Sequence, residues 1–186
     1  MHELRLLTER LELVACTRSL ATMEVGNPGS FSRALNADVP AGWPPPLNDE
    51  ASRKWALDFL TLHPEAAGWS TWYFLLRNDG SGKRTLIANG GFKGAPLADG
   101  TVEIGYSVME HFQGNGYATE AVTRLLTWAF EHPEVTRVIA ETYPHISNSI
   151  RVLEKCGFHY IGEGSQALVI RFELTRHEQE RLNTNN

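Results

Sequence analysis

The sequence predicts a mixed α/β domain in which one sheet carries helices on both faces. Three observations predict it: short runs with apolar side chains at period two, segments that switch to helical period, and breaker-rich turns between them. The elements follow the order β, α, α, β, β, β, α, β, α, β, β. With 186 residues, 42% of them hydrophobic, and neither repeat nor long linker, a single domain spans 1–186.

Residues 4–14 (LRLLTERLELV) read as one edge strand, leucine-rich with interleaved charge. Residues 17–23 make a short helix that ends before the breakers Gly26, Asn27, Pro28 and Gly29. Residues 39–47 (VPAGWPPPL) form a stiff loop, because consecutive prolines sustain neither a helix nor a ladder. Asn48 or Asp49 caps the next helix, whose Ala51, Trp55, Phe59 and Leu62 recur at helical spacing up to His63 and Pro64. Strands over 70–77 and 85–92 join as a hairpin through Asn78, Asp79, Gly80, Ser81 and Gly82.

In the strand TVEIGYSV, Val102, Ile104, Tyr106 and Val108 share one face, while Glu103, Gly105 and Ser107 share the other. Ala118, Ala121, Val122, Leu125, Leu126 and Ala129 then follow the i, i+3, i+4, i+7 rule. Glu120 and Arg124 are spaced to pair on the outer face of that helix. Beyond Pro133 come the strand TRVIAETY and a helix over about 148–156 stopped by Gly157. Strands near 160–162 and 167–174 follow, and the polar tail 177–186 frays.

Several function classes are excluded early. No apolar run approaches the roughly 20 residues of a membrane span, and MHELRLLTER lacks the apolar core of a secretory signal, so an unexported, cytoplasmic protein is expected. A formal charge of -5 supplies no field for nucleic acid. Cys16 and Cys156 form no CxxC and no zinc-like spacing, so no metal is expected.

The chemistry concentrates where a strand turns into the longest helix, at Gln113, Gly114, Asn115, Gly116, Tyr117 and Ala118. A helix start exposes unpaired N–H groups and a positive dipole end, and glycines let that backbone approach an anion closely. The loop has no third glycine in GxGxxG register and no GK[ST], which disfavours dinucleotides and nucleoside triphosphates.

The run EIGYSVMEHFQGNGYATEA resembles the acetyl-CoA-binding motif of the GNAT superfamily of N-acetyltransferases, Q/R-x-x-G-x-G/A, through Gln113, Gly116 and Ala118. AETYPHISNSIRVLEKCGF is similar to the second conserved block of its RimJ/RimL-like branch. The resemblance implies a mostly antiparallel twisted sheet of about seven strands, splayed between the fourth and fifth. The pantetheine arm would lie in the splay against backbone near Ser107 and Val108, and a backbone N–H near Val108 would stabilise the oxyanion. The diphosphate would rest on the N–H groups of 114–119, Thr119 included.

Acyl transfer to an amine also needs proton management. Glu103, acting through water, is the first candidate base and Glu141 the second; each has the alternative of a paired or solvated carboxylate. Leu153 stands where many relatives carry a tyrosine acid, so Ser149 is assigned to the departing sulfur, its alternative being a helix-cap hydroxyl. The branch has asparagine where this chain has Ile146; Asn148 is the candidate replacement in the pantetheine contact. Cys156 reads as a small buried apolar residue. Trp43, Trp55, Trp69 and Trp72 could line an acceptor groove, and His111 and His145 flank the two motifs.

The resulting expectation is an enzyme that moves acetyl from acetyl-CoA to a primary amine, a protein N-terminal α-amine or a small molecule, in a ternary complex. It would act as a monomer or homodimer. The alternative is a non-catalytic module that senses CoA or acyl-CoA.

Overall fold

The computed structural model describes residues 4–46, 48–77 and 83–184. One eight-stranded sheet organises it: β1 (Arg5–Leu7), β2 (Leu11–Ala15), β3 (Thr71–Arg77), β4 (Arg84–Phe92), β5 (Thr101–Val108), β6 (Arg137–Thr142), β7 (His159–Glu163) and β8 (Ile170–Thr175). Their spatial order is β1-β2-β3-β4-β5-β6-β8-β7. Every neighbouring pair is antiparallel except β5 and β6.

The parallel pair is also the short one. β5 and β6 are in register at Thr101↔Arg137, Val102↔Val138 and Glu103↔Ile139 and then part. Beyond that rung β5 stays with β4 as far as Ala88↔Val108, and β6 stays with β8 as far as Thr142↔Ile170. The sheet therefore forks, as the resemblance implied.

Helices cover both faces. On one lie α1 (Arg18–Gly26), α2 (Pro28–Leu35) and α3 (Glu50–Leu62), packing Leu20, Phe31, Leu35 and Leu60 on Val14, Tyr73, Leu75 and Leu86. On the other, α4 (Tyr117–Phe130) buries Ala121, Val122, Leu125, Leu126 and Ala129 against Leu13, Phe74, Ile87 and Ile104. α5 (Ser147–Lys155) joins that second core through Leu153 and ends at Cys156, with Gly157 at φ 90° as the helix stop expected from the sequence.

Several expectations are corrected. Residues 4–14 are two strands rather than one edge strand, because the polar triplet Thr8, Glu9 and Arg10 turns the chain. The Thr8 hydroxyl accepts from Leu11 N at 2.8 Å, and Leu6 returns opposite Leu13. That extra strand makes the count eight. Pro28 starts α2 instead of breaking the chain, since proline suits a first helical position and the Asn27 side chain caps Ser30 N at 3.0 Å.

Asp49, not Asn48, caps α3, accepting from Ser52 N at 2.8 Å. That helix buries Ala56 and Leu60, whereas Ala51, Trp55 and Leu62 are exposed, so the apolar stripe read from the sequence is not its core face. Glu120 pairs with Arg10 and Arg124 with Glu131, because the β1–β2 turn reaches Glu120 first. Of the tail, residues 176–184 form α6 (Arg176–Thr184), which begins where Thr175 N and Oγ1 both donate to Glu178 and which buries Gln179. The 78–82 turn and Leu47 lie outside the described residues.

Candidate active site at the fork in the sheet

The glycine loop is shaped as a cradle at an uncapped helix start. Gly114 and Gly116 have φ of 77° and 81°, the left-handed region where glycine is favoured. Gly116 is the N-cap of α4 and no side chain caps the helix, so no side chain competes for its first-turn N–H groups. The loop is held from both sides. Gln113 Nε2 donates to Val108 O at 3.0 Å, and Asn115 Nδ2 folds back onto Phe112 O and Gln113 O.

Arg10 braces the same loop from the β1–β2 turn. Its guanidinium donates to Asn115 O at 3.0 Å and to Glu120 Oε2 at 2.7 Å, and lies over the Tyr117 ring. Only the structure brings Arg10 here, since it is more than 100 positions away in the chain.

A cavity of about 380 Å³ opens over this cradle. Its wall includes Gln113, Gly114, Gly116, Tyr117, Ala118 and Thr119 from the loop and α4, Ser107 and Val108 from β5, and Asn148 and Ser149 from α5. Of the cofactor-binding residues read from the sequence, Asn115 alone is not on that wall; its amide is spent inside the loop. Arg151 and Lys155, one turn apart on α5, add two cations that sequence reading missed. Their i, i+4 spacing, on the helix carrying Ser149, was the available signal.

A second cavity, about 650 Å³, lies across the fork. Asn48, Ser52 and Trp55 close one side, Asn89 and Lys93 come from β4 and the residue after it, and Glu141, Tyr143 and Gln166 form the far wall. Ala51 and Trp55, the first two positions of the α3 stripe, line this cavity, and Trp55 stacks on Phe59 at 5.2 Å. Tyr106, Ser107, Ile146 and Ser149 belong to both walls, which makes the fork the junction of the two cavities.

The candidate proton-handling groups divide sharply. Glu103 sits on the last paired rung of β5 and β6, ion-paired with Lys93. Glu141 reaches the larger cavity but is saturated: it accepts from Ser165 N at 2.8 Å, Ser165 Oγ at 2.6 Å and Arg171 Nε and NH2 at 2.9 and 2.7 Å. Burial alone would push its carboxyl up, but these hydrogen bonds outweigh burial and hold it below the usual carboxylate range.

Glu141 thus anchors the 164–169 segment, and that role is measurable. A depressed folded-state pKa contributes stability that is complete above the ordinary value of ~4.3 and is lost as pH falls through the folded value. Glu141→Gln is expected to cost about 1.5–3 kcal/mol at neutral pH in denaturant unfolding. Below the folded value the two proteins should unfold alike, and equal stability at neutral pH would contradict the anchor.

Ser149 is not a helix cap, since Ile146 occupies that position without a side-chain bond. Its hydroxyl lies 3.3 Å from the Tyr106 hydroxyl, which donates to Ser149 O at 3.0 Å. Burial pushes the Tyr106 hydroxyl well above its ordinary value, the hydrogen bond to Ser149 only partly offsetting it. Cys156 is buried, its thiol pushed up to about 11, and it lines neither cavity. Trp69 and Trp72 are packed around Trp128, Trp43 donates to Glu24 at 2.9 Å, and His111 and His145 are exposed away from both walls. Among the described residues there is no cluster suited to a metal, and no helix is long and apolar enough to cross a membrane.

Known proteins share this fold. The solved structure of ribosomal-protein-S5-alanine acetyltransferase from Vibrio fischeri covers 94% of this chain and 97% of its own at TM-score 0.62 and 20% identity. The aminoglycoside acetyltransferase AAC(6′)-Ib, solved with coenzyme A, covers 93% and 99% at TM-score 0.58 and 21% identity. At such identities the likeness is one of fold. Among curated proteins, an uncharacterized N-acetyltransferase of Bacillus subtilis (strain 168), YjdG, is 29% identical over 101 residues, 54% of this chain and 58% of that protein. The chain thus spans little more than half of that relative's length. A family model described as an acetyltransferase (GNAT) domain matches residues 10–159, from the turn that braces the glycine loop to the strand beyond α5. With the fork between β5 and β6 and the uncapped glycine cradle inside those bounds, the chain belongs to the GNAT acetyltransferase family.

Proposed function

We propose that this protein transfers the acetyl group of acetyl-CoA to a primary amine, by direct attack while both reactants are bound. One observation carries the reading: two chemically distinct cavities meet at the fork between β5 and β6. Bound acetyl-CoA supplies an acyl group already activated as a thioester.

The smaller cavity suits a coenzyme A. The free N–H groups at 116–119 and the cations of Arg151 and Lys155 match its phosphates. The edge of β5 beyond Glu103 has no strand partner on the β6 side and matches pantetheine amides, with Asn148 to supply the amide that Ile146 lacks and a backbone N–H near Val108 for the oxyanion. No covalent acyl-enzyme is needed, and both cysteines are buried free thiols, which suits a reducing cytoplasm.

The acceptor side narrows the amine. Of the two candidate bases, Glu103 is held by Lys93 and Glu141 by Arg171 and Ser165, so neither carboxylate is spare. Glu103, moreover, lines neither cavity. We read the amine as arriving neutral from water, which favours groups of low pKa such as an N-terminal α-amine. A polycationic acceptor would find no uncompensated carboxylate in these two.

A thiol-release assay with acetyl-CoA and a panel of N-terminal peptides, amino acids, polyamines and aminoglycosides tests the proposal. Release with at least one amine is expected, peptides leading. Tight CoA binding with no release from any acceptor would favour a sensor instead.

A further inference from the structure

We propose that Glu24 is a positioning residue: by holding the Trp43 indole from helix α1, it sets the segment that gives each cavity a wall residue, Pro46 to the smaller and Asn48 to the larger. The proposal rests on the acetyltransferase reading above, which assigns the smaller cavity to coenzyme A, and extends it to a residue that touches neither reactant.

Glu24 and Trp43 lie on neither wall, whereas Pro46 and Asn48 lie one on each. Between Trp43 and Asn48 the chain has little freedom. Pro44, Pro45 and Pro46 fix three consecutive φ angles. Pro40 O accepts from Trp43 N at 2.9 Å and Pro45 O from Asn48 N at 3.0 Å, which closes a turn at each end of the prolines. A displacement of Trp43 is therefore passed on to Pro46 and Asn48 rather than absorbed. Asn48 does not secure itself: it is 8% exposed, and its side-chain nitrogen has no hydrogen-bond partner among the described residues.

The grip on Trp43 is directional. Its Nε1 donates to Glu24 Oε1 at 2.9 Å, while the Tyr73 hydroxyl, from β3, donates to Glu24 Oε2 at 2.7 Å. Glu24 is 9% exposed, with Arg53 of α3 as the cation acting on it, and the Trp43 and Tyr73 rings stand 6.3 Å apart. With water largely kept away, a hydrogen bond to the carboxylate keeps strength that it would lose at the surface. An apolar residue would pack α1 against Tyr73 without the cost of burying a carboxylate. What the carboxylate adds is an aimed acceptor for the indole.

The test compares wild type with Trp43→Phe, Glu24→Leu and Glu24→Gln. The first two remove the grip and keep apolar volume. Glu24→Gln preserves it: the amide oxygen takes the Trp43 N–H, the amide nitrogen donates to the Tyr73 oxygen, and the Tyr73 hydroxyl turns to Cys16 Sγ at 3.3 Å. Amide hydrogen exchange, resolved by NMR with and without coenzyme A, is read at Asn48, since the prolines carry no N–H. Calorimetry reads coenzyme A affinity.

In wild type, coenzyme A meets Pro46 and should slow exchange at Asn48 about threefold or more, although Asn48 lines the other cavity. In Trp43→Phe and Glu24→Leu, Asn48 should exchange about tenfold faster without ligand, coenzyme A should no longer slow it, and the dissociation constant should rise about fivefold. Glu24→Gln should match wild type. Unchanged exchange and affinity in Trp43→Phe overturns the proposal whatever its thermal stability, because a purely structural bond shows only in unfolding; this variant leaves the α1–β3 contact in place and decides the matter where Glu24→Leu does not fold. A Glu24→Gln variant that behaves as Trp43→Phe overturns the aimed acceptor, and a wild type whose Asn48 exchange ignores bound coenzyme A overturns the link from Pro46. Failure of the wild type to bind coenzyme A overturns the acetyltransferase reading instead, while the ligand-free exchange rates still test the grip.

Discussion

Gly116→Val is expected to raise the dissociation constant for coenzyme A by about 10²-fold or more, with the fold intact. Gly116 sits at φ 81°, where an L side chain costs roughly 1–2 kcal/mol and a β-branched one is a clear outlier. A Cβ there would already lie 3.5 Å from the Arg10 guanidinium, so the two branches of valine press on the group that braces the loop. They also fill the space an anion needs to reach the first-turn N–H groups. Losing two charge-assisted hydrogen bonds, each worth about 1.5–3 kcal/mol, accounts for the factor. Calorimetry reads the affinity and thermal unfolding reports the fold. Undiminished affinity would move the diphosphate away from α4.

The second large effect concerns the acceptor. At pH near 7.5, a peptide α-amine should be acetylated on the order of 10²-fold faster than a lysine ε-amine in an equivalent peptide, judged by kcat/KM. The ordinary values, about 7.7–8.0 and ~10.4, leave a large fraction of the first neutral and a minute fraction of the second. With Glu103 and Glu141 both engaged by cations, the enzyme does little to close that gap. The α-amine rate should rise about tenfold per pH unit below its pKa and level above it. Glu103→Gln should leave this profile and coenzyme A affinity nearly unchanged. A steep loss of rate at neutral pH in that variant would return Glu103 to the role of base.

Local pattern made the loop and helix between β5 and β6 legible. The glycine loop, the helix that follows and the Gly157 stop are set by nearest neighbours, and each lies where periodicity and turn chemistry put it. The fork came from the resemblance, because strand pairing leaves no trace in one strand's own pattern. What escaped the sequence depends on distant partners. Thr8 to Arg10 turn the chain and hold Glu120, over a separation of more than 100 residues, so the expected Glu120–Arg124 pair never forms. Trp55 carries the hydrophobicity of a core residue yet lines the larger cavity, a distinction that helical spacing cannot make. Tyr106 alternates like its strand neighbours, and only the packing of α5 brings Ser149 to its hydroxyl.

The most direct measurement is a crystal structure of the protein soaked with coenzyme A. Diphosphate density against the backbone of Gly116 and its successors, with the sulfur beside Ser149 where the cavities join, is the predicted result. Density in any other place, or none at a concentration that saturates related enzymes, would contradict it.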